Sequence, residues 1–182
     1  MPPPPPPRLP GLVDTHCHLD YPPMADDLAG TLARAAAAGV EQLVHIGCSR
    51  KSAPRAVALV APHPHLFAAV GIHPHEASSV DDAAMAEIAA LARDPKVVGI
   101  GETGLDYHYN RSPPDAQKRA LAAHRELARE LDKPLILHIR DAHADALEIL
   151  DAAPPLPRRG IVHCFTGTPD DAEKWLARGY YL

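Results

Sequence analysis

The sequence predicts an α/β fold in which helices cover a parallel sheet. Short runs rich in Val, Ile and Leu alternate with alanine-rich stretches of helical length along the chain, and several of the apolar runs end in histidine or glutamate. Strand–helix alternation favours parallel pairing, because each helix carries the chain back across the sheet. Two architectures fit this pattern, a doubly wound open sheet and a (β/α)8 barrel.

Each apolar run is followed by one helical stretch, which gives six predicted strand–helix pairs. The predicted strands are Leu12–Asp14, Gln42–Ile46, Leu66–Ile72, Val97–Gly101, Pro134–Ile139 and Gly160–His163. The predicted helices are Asp26–Ala38, Ser52–Val60, Val80–Arg93, Pro114–Leu131, Asp141–Asp151 and Pro169–Arg178.

Local signals mark the ends of several predicted helices. Thr168 precedes a proline and two aspartates, a pattern typical of an N-cap with acids in the first turn. Ser112 precedes two prolines and is predicted to cap the helix that follows. Gly39 and Gly179 come just after predicted helices, where a left-handed residue commonly ends a helix.

The composition is that of one globular domain. With 182 residues, 46% of them hydrophobic, the chain can bury one substantial core. Three widely spaced cysteines indicate reduced thiols and a cytoplasmic protein. The sequence predicts a disordered proline-rich tail over 1–10, containing Pro2–Pro7, and a single domain over 11–182.

The charge and hydropathy patterns exclude some classes of partner. The net charge is −5 and there is no basic stripe, which argues against an extended footprint on duplex DNA. A polyanionic substrate would need bound cations and a few local arginines. No apolar run is long enough to span a membrane, and the N-terminus lacks a signal-peptide pattern, so no membrane partner is expected.

The segment Asp14–His18 follows the first apolar run. Because side chains of an extended segment alternate between two faces, His16 and His18 point to one side together with Asp14. Two imidazoles so placed can hold one metal ion between them, although short His-x-His matches are also common without a metal.

The same kinds of residue recur at later strand ends. His73 and His75 follow the third predicted strand, Glu102 the fourth, His138 the fifth and His163 the sixth. A dinucleotide-binding sheet would carry a glycine-rich turn after the first strand, whereas here that turn holds histidines. A (β/α)8 barrel assembles its chemistry at the C-terminal ends of its strands, so the recurrence favours the barrel.

These residue types suit a metal site. Neutral imidazole and carboxylate bind zinc, manganese, iron or cobalt, and carboxylate-rich sites also accept magnesium. Glu102 has two oxygens and can bridge two cations, one held with His16 and His18. The other would be held with His138 and His163. Such a two-metal site can activate a water and stabilise a phosphoryl or carbonyl oxygen.

Other histidines are predicted to be structural. His124 lies in the middle of a predicted helix and is expected on its solvated face. His45 lies inside a predicted strand, and His143 lies at the start of a predicted helix.

Taken together, five stretches resemble the TatD family of metal-dependent hydrolases, within the amidohydrolase superfamily. They are Asp14–Asp20, Gly71–His75, Gly101–Tyr107, His138–Arg140 and His163–Gly167. The resemblance implies a TIM-barrel fold and a magnesium-dependent deoxyribonuclease.

The resemblance also implies a ligand set. One divalent ion would be held by His16, His18 and Glu102. A second ion would be held by Glu102, His138 and His163. The candidate ions are magnesium, manganese and zinc, and Glu102 is the candidate catalytic residue.

Roles for neighbouring residues follow as hypotheses. A metal-bound hydroxide would attack phosphorus in single-stranded DNA or at DNA ends, with no obligate protein partner. Arg140 would hold a phosphate or pair with an acid, and His73 and His75 would contact substrate or shape the third loop. Asp106 would orient a ligand or cap a turn. Tyr107 and Tyr109 would stack on a base or stay exposed loop residues.

The chain departs from the family pattern at its C-terminal end. Six strand–helix pairs are followed by Gly179–Leu182, where a seventh strand should start, and a complete barrel needs about 250 residues. No residue matches the family's aspartate after the eighth strand. The expectation is therefore an incomplete barrel, the N-terminal three-quarters of a hydrolase, with weak or no activity.

Two alternative functions stay open at this point. The same site could hydrolyse esters or amides, as a D-aminoacyl-tRNA deacylase does, because the same nucleophile attacks carbon or phosphorus. Alternatively, the chain could bind metal without turnover.

Overall fold

A computed structural model of the chain describes residues 9–182. The run Pro2–Pro7 and most of the predicted tail, 1–10, lie outside the described residues.

Six strands form one parallel sheet within residues 9–182. They are β1 (Leu12–Cys17), β2 (Val40–Gly47), β3 (Leu66–Val70), β4 (Val97–Asp106), β5 (Leu135–Arg140) and β6 (Gly160–His163). Each strand is parallel to its neighbours, and their order in the sheet is their order in the chain. A doubly wound sheet would reverse the strand order at a switch point, whereas sequential order is that of a (β/α)8 barrel. The barrel prediction is therefore confirmed.

One α-helix follows each strand, as the alternation predicts. The helices are α1 (Leu28–Ala38), α2 (Ser52–Val60), α3 (Asp82–Ala92), α4 (Pro114–Glu130), α5 (His143–Asp151) and α6 (Pro169–Ala177). Short 3-10 helices lie at Ala25–Asp27 and Pro74–Ser79. Among residues 9–182, no helix is long and apolar enough to cross a membrane.

The sheet curls strongly. Neighbouring strands lie about 4.8 Å apart, so the first and sixth strands of a flat sheet would be separated by about 24 Å. Instead, the imidazole rings of His16 on β1 and His163 on β6 stack with centroids 3.4 Å apart and planes 7° from parallel. The curl gathers the C-terminal ends of the strands around one site.

After α6 the chain returns to the sheet beside β6. Tyr181 forms a parallel bridge with Ile161: the Val162 N–H donates to Tyr181 O at 2.8 Å, and the Tyr181 N–H donates to Gly160 O at 3.0 Å. The predicted start of a seventh strand at Gly179–Leu182 thus pairs with β6.

Period-two alternation along the strands separates two apolar clusters. On β5, Leu137 packs in the larger cluster between sheet and helices, whereas Ile136 faces the inner surface with Ile46 of β2. His138 and Arg140 follow Ile136 at steps of two and share its face. The small inner cluster therefore forms the floor beneath the polar residues at the strand ends.

Three of the predicted helix ends are confirmed. Gly39 and Gly179 have φ values of 99° and 79°, the left-handed conformation that ends a helix. Thr168 caps α6, because its side chain accepts from the Asp171 N–H while the Asp171 carboxylate accepts from the Thr168 N–H.

The predicted N-cap at Ser112 is wrong. The N-cap residue of α4 is Pro113, which makes no side-chain cap. The Ser112 hydroxyl is engaged elsewhere, since it accepts from the Ser78 N–H at 3.1 Å and donates to His75 O at 2.9 Å. It therefore holds the segment after β3 rather than the start of α4.

The predicted solvated position of His124 is also wrong, because the side chain is fully buried. Its Nδ1 donates to Ala120 O at 2.7 Å and its Nε2 accepts from the Ile72 N–H at 3.0 Å. The helical period could have revealed this, because position 124 falls on the apolar stripe of α4 with Leu121 and Ala128.

Candidate metal centre

The C-terminal ends of the strands bring together the side chains that the sequence singles out. His16 lies in β1 and His18 directly follows it. Glu102 lies in β4, His138 in β5 and His163 at the end of β6.

Two groups of side chains are close enough to hold a metal ion each. In the first cluster, ligand atoms of His16, Glu102 and His163 lie within 4.8 Å of one another. In the second cluster, ligand atoms of His73, Glu102 and His138 do so. Glu102 belongs to both clusters, as a bridging carboxylate must.

The clusters divide the histidines differently from the predicted pairing. His163 joins His16 because the curl of the sheet places β6 against β1. His18 lies beside the first cluster, with its Nε2 3.3 Å from the Nε2 of His16. His73, expected as a substrate contact, falls in the second cluster with His138. The predicted ligands stay predictions, and His73 becomes a further candidate.

Glu102 is 4% exposed and is surrounded by imidazoles. Its Oε2 lies 3.6 Å from His16 Nε2, and its Oε1 lies 3.3 Å from His138 Nδ1 and 3.9 Å from His73 Nε2. The β4–β5 register shifts between Gly101 and Thr103, so the ladder is irregular where Glu102 projects into the site.

The surrounding imidazoles keep Glu102 ionised. Burial alone would raise the pKa of this carboxyl. The hydrogen bond from His138, together with the charges that His16 and His73 carry when protonated, outweighs burial and lowers the pKa to about 2. At neutral pH the site therefore holds a buried carboxylate with both oxygens directed at nitrogen atoms.

Burial also keeps two of these histidines neutral. Desolvation lowers the pKa of His16 to about 4 and that of His73 to about 4, despite the opposing attraction of Glu102. Neutral imidazole is the form that binds a metal, so neither side chain has to lose a proton at pH 7.

Asp106 fixes the orientation of His138. Both His138 Nε2 and His75 Nε2 lie 3.0 Å from the same Asp106 Oδ2. An ionised carboxylate only accepts hydrogen bonds, so each Nε2 must carry a proton. In neutral His138 the Nδ1 lone pair then faces Glu102 Oε1, and a proton or a metal ion between the two atoms satisfies both.

The pKa values of the Asp106–His138 pair agree with this arrangement. Burial would lower the pKa of His138, but the hydrogen bonds and charges of Glu102 and Asp106 prevail and raise it. For Asp106, burial would raise the pKa, and hydrogen bonds from the Tyr109 N–H, His138 and His75 instead lower it to about 2.

Asp106 is itself held by the segment that follows β4. It is fully buried, its N–H donates to Gln117 Oε1 at 2.7 Å, and its Oδ1 accepts from the Tyr109 N–H at 2.8 Å. One oxygen of Asp106 thus caps a turn and the other accepts from two histidines; that it orients a metal ligand stays a prediction. Gln117 was not singled out from the sequence, which gives no signal for this contact.

The donor atoms fit divalent metal ions. Among the described residues, the buried Nδ1 atoms of His16 and His18 have no hydrogen-bond partner. Buried polar atoms normally have a partner, and the Nε2 of His16 faces Glu102 at 3.6 Å, so the imidazoles present nitrogen atoms that a divalent ion could engage. A set of imidazoles that share one carboxylate suits zinc, manganese, iron or cobalt.

A cavity of about 410 Å³ opens onto the clusters. His73, His75 and Glu102 line it together with Arg111. His75 is thus placed both to contact a bound molecule and to pair with Asp106.

Arg140 lies on β5, two residues after His138. Within residues 9–182, its guanidinium has no carboxylate oxygen within 4 Å, so the salt bridge considered as an alternative does not form there. The guanidinium instead lies over the ring of Tyr109, 4.9 Å from its centroid.

Comparison with known proteins gives a consistent family. The profile of the family described as TatD related DNase matches residues 13–182. The chain is 38% identical over 171 residues to the uncharacterized metal-dependent hydrolase YabD of Bacillus subtilis, covering 94% of this chain and 67% of that protein. It is 42% identical over 151 residues to the 3'-5' ssDNA/RNA exonuclease TatD of Cronobacter turicensis, covering 83% of this chain and 57% of that protein.

Solved structures show the same fold. The crystal structure of YJJV, a TatD homolog from Escherichia coli K12, superposes with a TM-score of 0.86 at 34% identity, over 93% of this chain and 66% of that one. A TatD family hydrolase from Entamoeba histolytica gives a TM-score of 0.84 at 20% identity, over 95% of this chain and 64% of that one. The chain thus spans 57% to 67% of the length of these proteins.

Proposed function

The chain belongs to the TatD related DNase family, and on this basis we propose that it is a metal-dependent hydrolase that cleaves phosphodiester bonds of DNA. The observation that carries the proposal is the position of Glu102 in both clusters. One buried carboxylate shared by two sets of imidazoles can hold two divalent ions close enough together to act on one phosphate.

In this proposal two ions of magnesium, manganese or zinc would be held by His16, His18, Glu102, His138 and His163. His73 would add a donor to the second cluster. Divalent ions bound there would lower the pKa of water and neutralise charge on a phosphate.

The chain's own residues prepare the site for this chemistry. Glu102 supplies the negative charge that retains cations in a buried place. Asp106 fixes the Nε2–H tautomer of His138 and directs its Nδ1 inward. The inner apolar cluster around Ile46 and Ile136 keeps water from below the site.

Single-stranded DNA or a DNA end is the proposed substrate. The Cronobacter protein is named a 3'-5' ssDNA/RNA exonuclease, and the net charge of −5 does not favour an extended duplex footprint. His75 and Arg140 are the proposed substrate contacts, since His75 lines the cavity and Arg140 lies two residues after His138 on β5. His73, predicted for the same role, is proposed instead as a donor of the second cluster. A cytoplasmic location is also proposed, supported by three cysteines that are all free thiols within the described residues.

The test is a cleavage assay with a 5'-labelled single-stranded oligonucleotide in Mg²⁺ or Mn²⁺, compared with EDTA. We expect cleavage that depends on the added ion and falls by at least about 100-fold in Glu102→Gln. The matched control is Glu87→Gln, which changes an exposed glutamate paired with Arg50.

Three results would contradict the proposal. One is cleavage that Glu102→Gln leaves intact. A second is the absence of cleavage with each divalent ion. The third is hydrolysis of an aminoacyl ester in the same buffers with no cleavage of the oligonucleotide, which would favour ester or amide hydrolysis at this site.

A further inference from the structure

Tyr109 presents an exposed aromatic ring at the rim of the cavity, and two guanidinium groups lie over it. The ring is 54% exposed. Arg140 Cζ lies 4.9 Å from its centroid and Arg111 Cζ lies 5.7 Å from it. The imidazole of His75 meets the same ring edge-on, with centroids 5.6 Å apart and planes at 88°. The ring therefore holds two cations next to a residue of the cavity wall.

Neither of these two cations is paired with a carboxylate in the part of the chain that the structure describes. Among residues 9–182, no carboxylate oxygen lies within 4 Å of Arg111 or Arg140, whereas Arg50 and Arg178 each contact one. Stacking on an aromatic ring fixes the plane of a guanidinium and leaves its N–H edge free. In a chain of net charge −5, two adjacent cations without carboxylate partners mark a site for an anion.

The position of the pair relates it to the metal clusters. Arg111 lines the cavity that also contains His18 and Glu102. Arg140 lies two residues after His138, on the same face of β5. The two guanidiniums thus flank the site without contributing to either cluster.

We propose that Tyr109, Arg111 and Arg140 form a subsite for a phosphate that is not cleaved, the neighbour of the phosphate held at the clusters. Guanidinium groups match phosphate oxygens in a bidentate way, and the charge of the cleaved phosphate would be met by divalent ions bound at the clusters. This inference rests on the proposed function and makes it more specific: the substrate is a single-stranded nucleic acid with at least two consecutive phosphates.

The test measures binding without turnover. The anisotropy of a fluorescein-labelled eight-nucleotide oligothymidylate is followed in EDTA over a series of salt concentrations. Each arginine that neutralises a phosphate of a single strand contributes about 0.7 to the slope of log K against log salt. We expect Arg140→Ala and Arg111→Ala each to weaken binding and to reduce the slope by about 0.7.

Arg119→Ala is the matched control. Arg119 lies on α4, lines a separate groove with Asp82 and Met85, and has no carboxylate within 4 Å among the described residues. Its removal changes the net charge equally, so its slope should equal that of the wild type.

Two further variants test the geometry. Arg140→Lys keeps the charge but loses the planar fork, so we expect the slope to be kept and the affinity to fall several-fold. Tyr109→Leu removes the ring that orders both guanidiniums, so we expect weaker binding with an unchanged slope.

The inference is overturned if wild-type binding is undetectable, or if the alanine variants of Arg111 and Arg140 behave like Arg119→Ala. Failure of the proposed function is a different result. In that case no divalent ion supports cleavage, whereas the arginine variants still change the salt dependence of oligonucleotide binding.

Discussion

Glu102 and Asp106 are buried carboxylates with distinct tasks. Glu102 faces imidazoles of both clusters, whereas Asp106 takes the Nε2–H groups of His75 and His138 and thereby sets which nitrogen of His138 faces Glu102. Both tasks require an ionised carboxylate, and the lowered pKa of each carboxyl keeps it ionised at neutral pH.

Asp106→Asn is predicted to weaken metal binding without removing a ligand. The carboxylate accepts from two Nε2–H groups at Oδ2 and from the Tyr109 N–H at Oδ1. An asparagine has one acceptor oxygen and one NH2 group that faces a donor, so the hydrogen bond that fixes the His138 tautomer is weakened. We expect metal affinity to fall by about 10- to 100-fold. Nitrogen NMR of His138 should show a mixture of tautomers.

The control for this variant is Asp132→Asn, an exposed acid paired with Arg158. Equal metal affinity in Asp106→Asn and the wild type would contradict the assigned role.

The residues of the site were predictable from the sequence, but their grouping was not. Period two and the recurrence of polar residues after apolar runs locate Glu102 and the histidines. The pairing of His16 with His163 depends on how far the sheet curls, which no local pattern encodes.

At the scale of elements, β4 and β5 hold the site through close backbone contact. Gly104 pairs with His138 in the β4–β5 register and has a φ of 147°. A Cβ at position 104 would lie 2.0 Å from His138 O. Glycine is thus required where the strand carrying Glu102 meets the strand carrying His138.

Gly104→Ala is therefore predicted to destabilise the fold by more than about 2 kcal/mol and to displace His138. Urea unfolding measures the change. Gly11→Ala is the control, because a Cβ there meets no atom within 4 Å. Similar losses of stability in the two variants would show that strain at positive φ, rather than the contact with β5, dominates.

His124 of α4 contacts the segment that follows β3, because its Nε2 accepts from the Ile72 N–H. Burial lowers the pKa of this histidine to about 4, against 6.5 for an exposed one. Between these values the unfolded chain binds a proton that the folded chain does not, so the free energy of unfolding rises with pH. The stabilisation is complete above pH 6.5 and is lost as the pH falls towards 4.

His124→Gln is predicted to flatten this dependence, because glutamine accepts from the Ile72 N–H without titrating. The difference between wild type and variant in the free energy of unfolding should change by up to about 3 kcal/mol across this window. Urea unfolding at a series of pH values measures it. A difference that stays constant with pH would mean that His124 is not the buried neutral group described.

The alternation of strands and helices was predictable, because apolar residues recur with a different period in a strand than in a helix. The role of Ser112 was not predictable, because a hydroxyl before two prolines can either cap the helix that follows or form hydrogen bonds with a distant loop. Its bonds to Ser78 and His75 arise only when the segment after β3 packs against α4.

Over the whole molecule, burial is uneven along the barrel. No residue of α1 and none of β1 is fully buried, whereas four of the five residues of β3 are. A segment with few buried contacts can open locally at a low cost in free energy.

Hydrogen exchange should therefore be fastest in Leu12–Cys17 and Leu28–Ala38 and slowest in Leu66–Val70 and the adjoining part of β4. Mass spectrometry of peptic fragments measures it. Uniform protection across the six strands would contradict this gradient.

The central claim is that Glu102 is shared by two metal sites, and a titration of metal-free protein with Mn²⁺ at pH 7.5 tests it directly. Calorimetry is predicted to give two ions for the wild type and for Glu87→Gln. It should give one for His163→Asn and one for His73→Asn, each of which impairs a single cluster. Glu102→Gln is predicted to lose both ions, and retention of two ions by that variant would contradict the account.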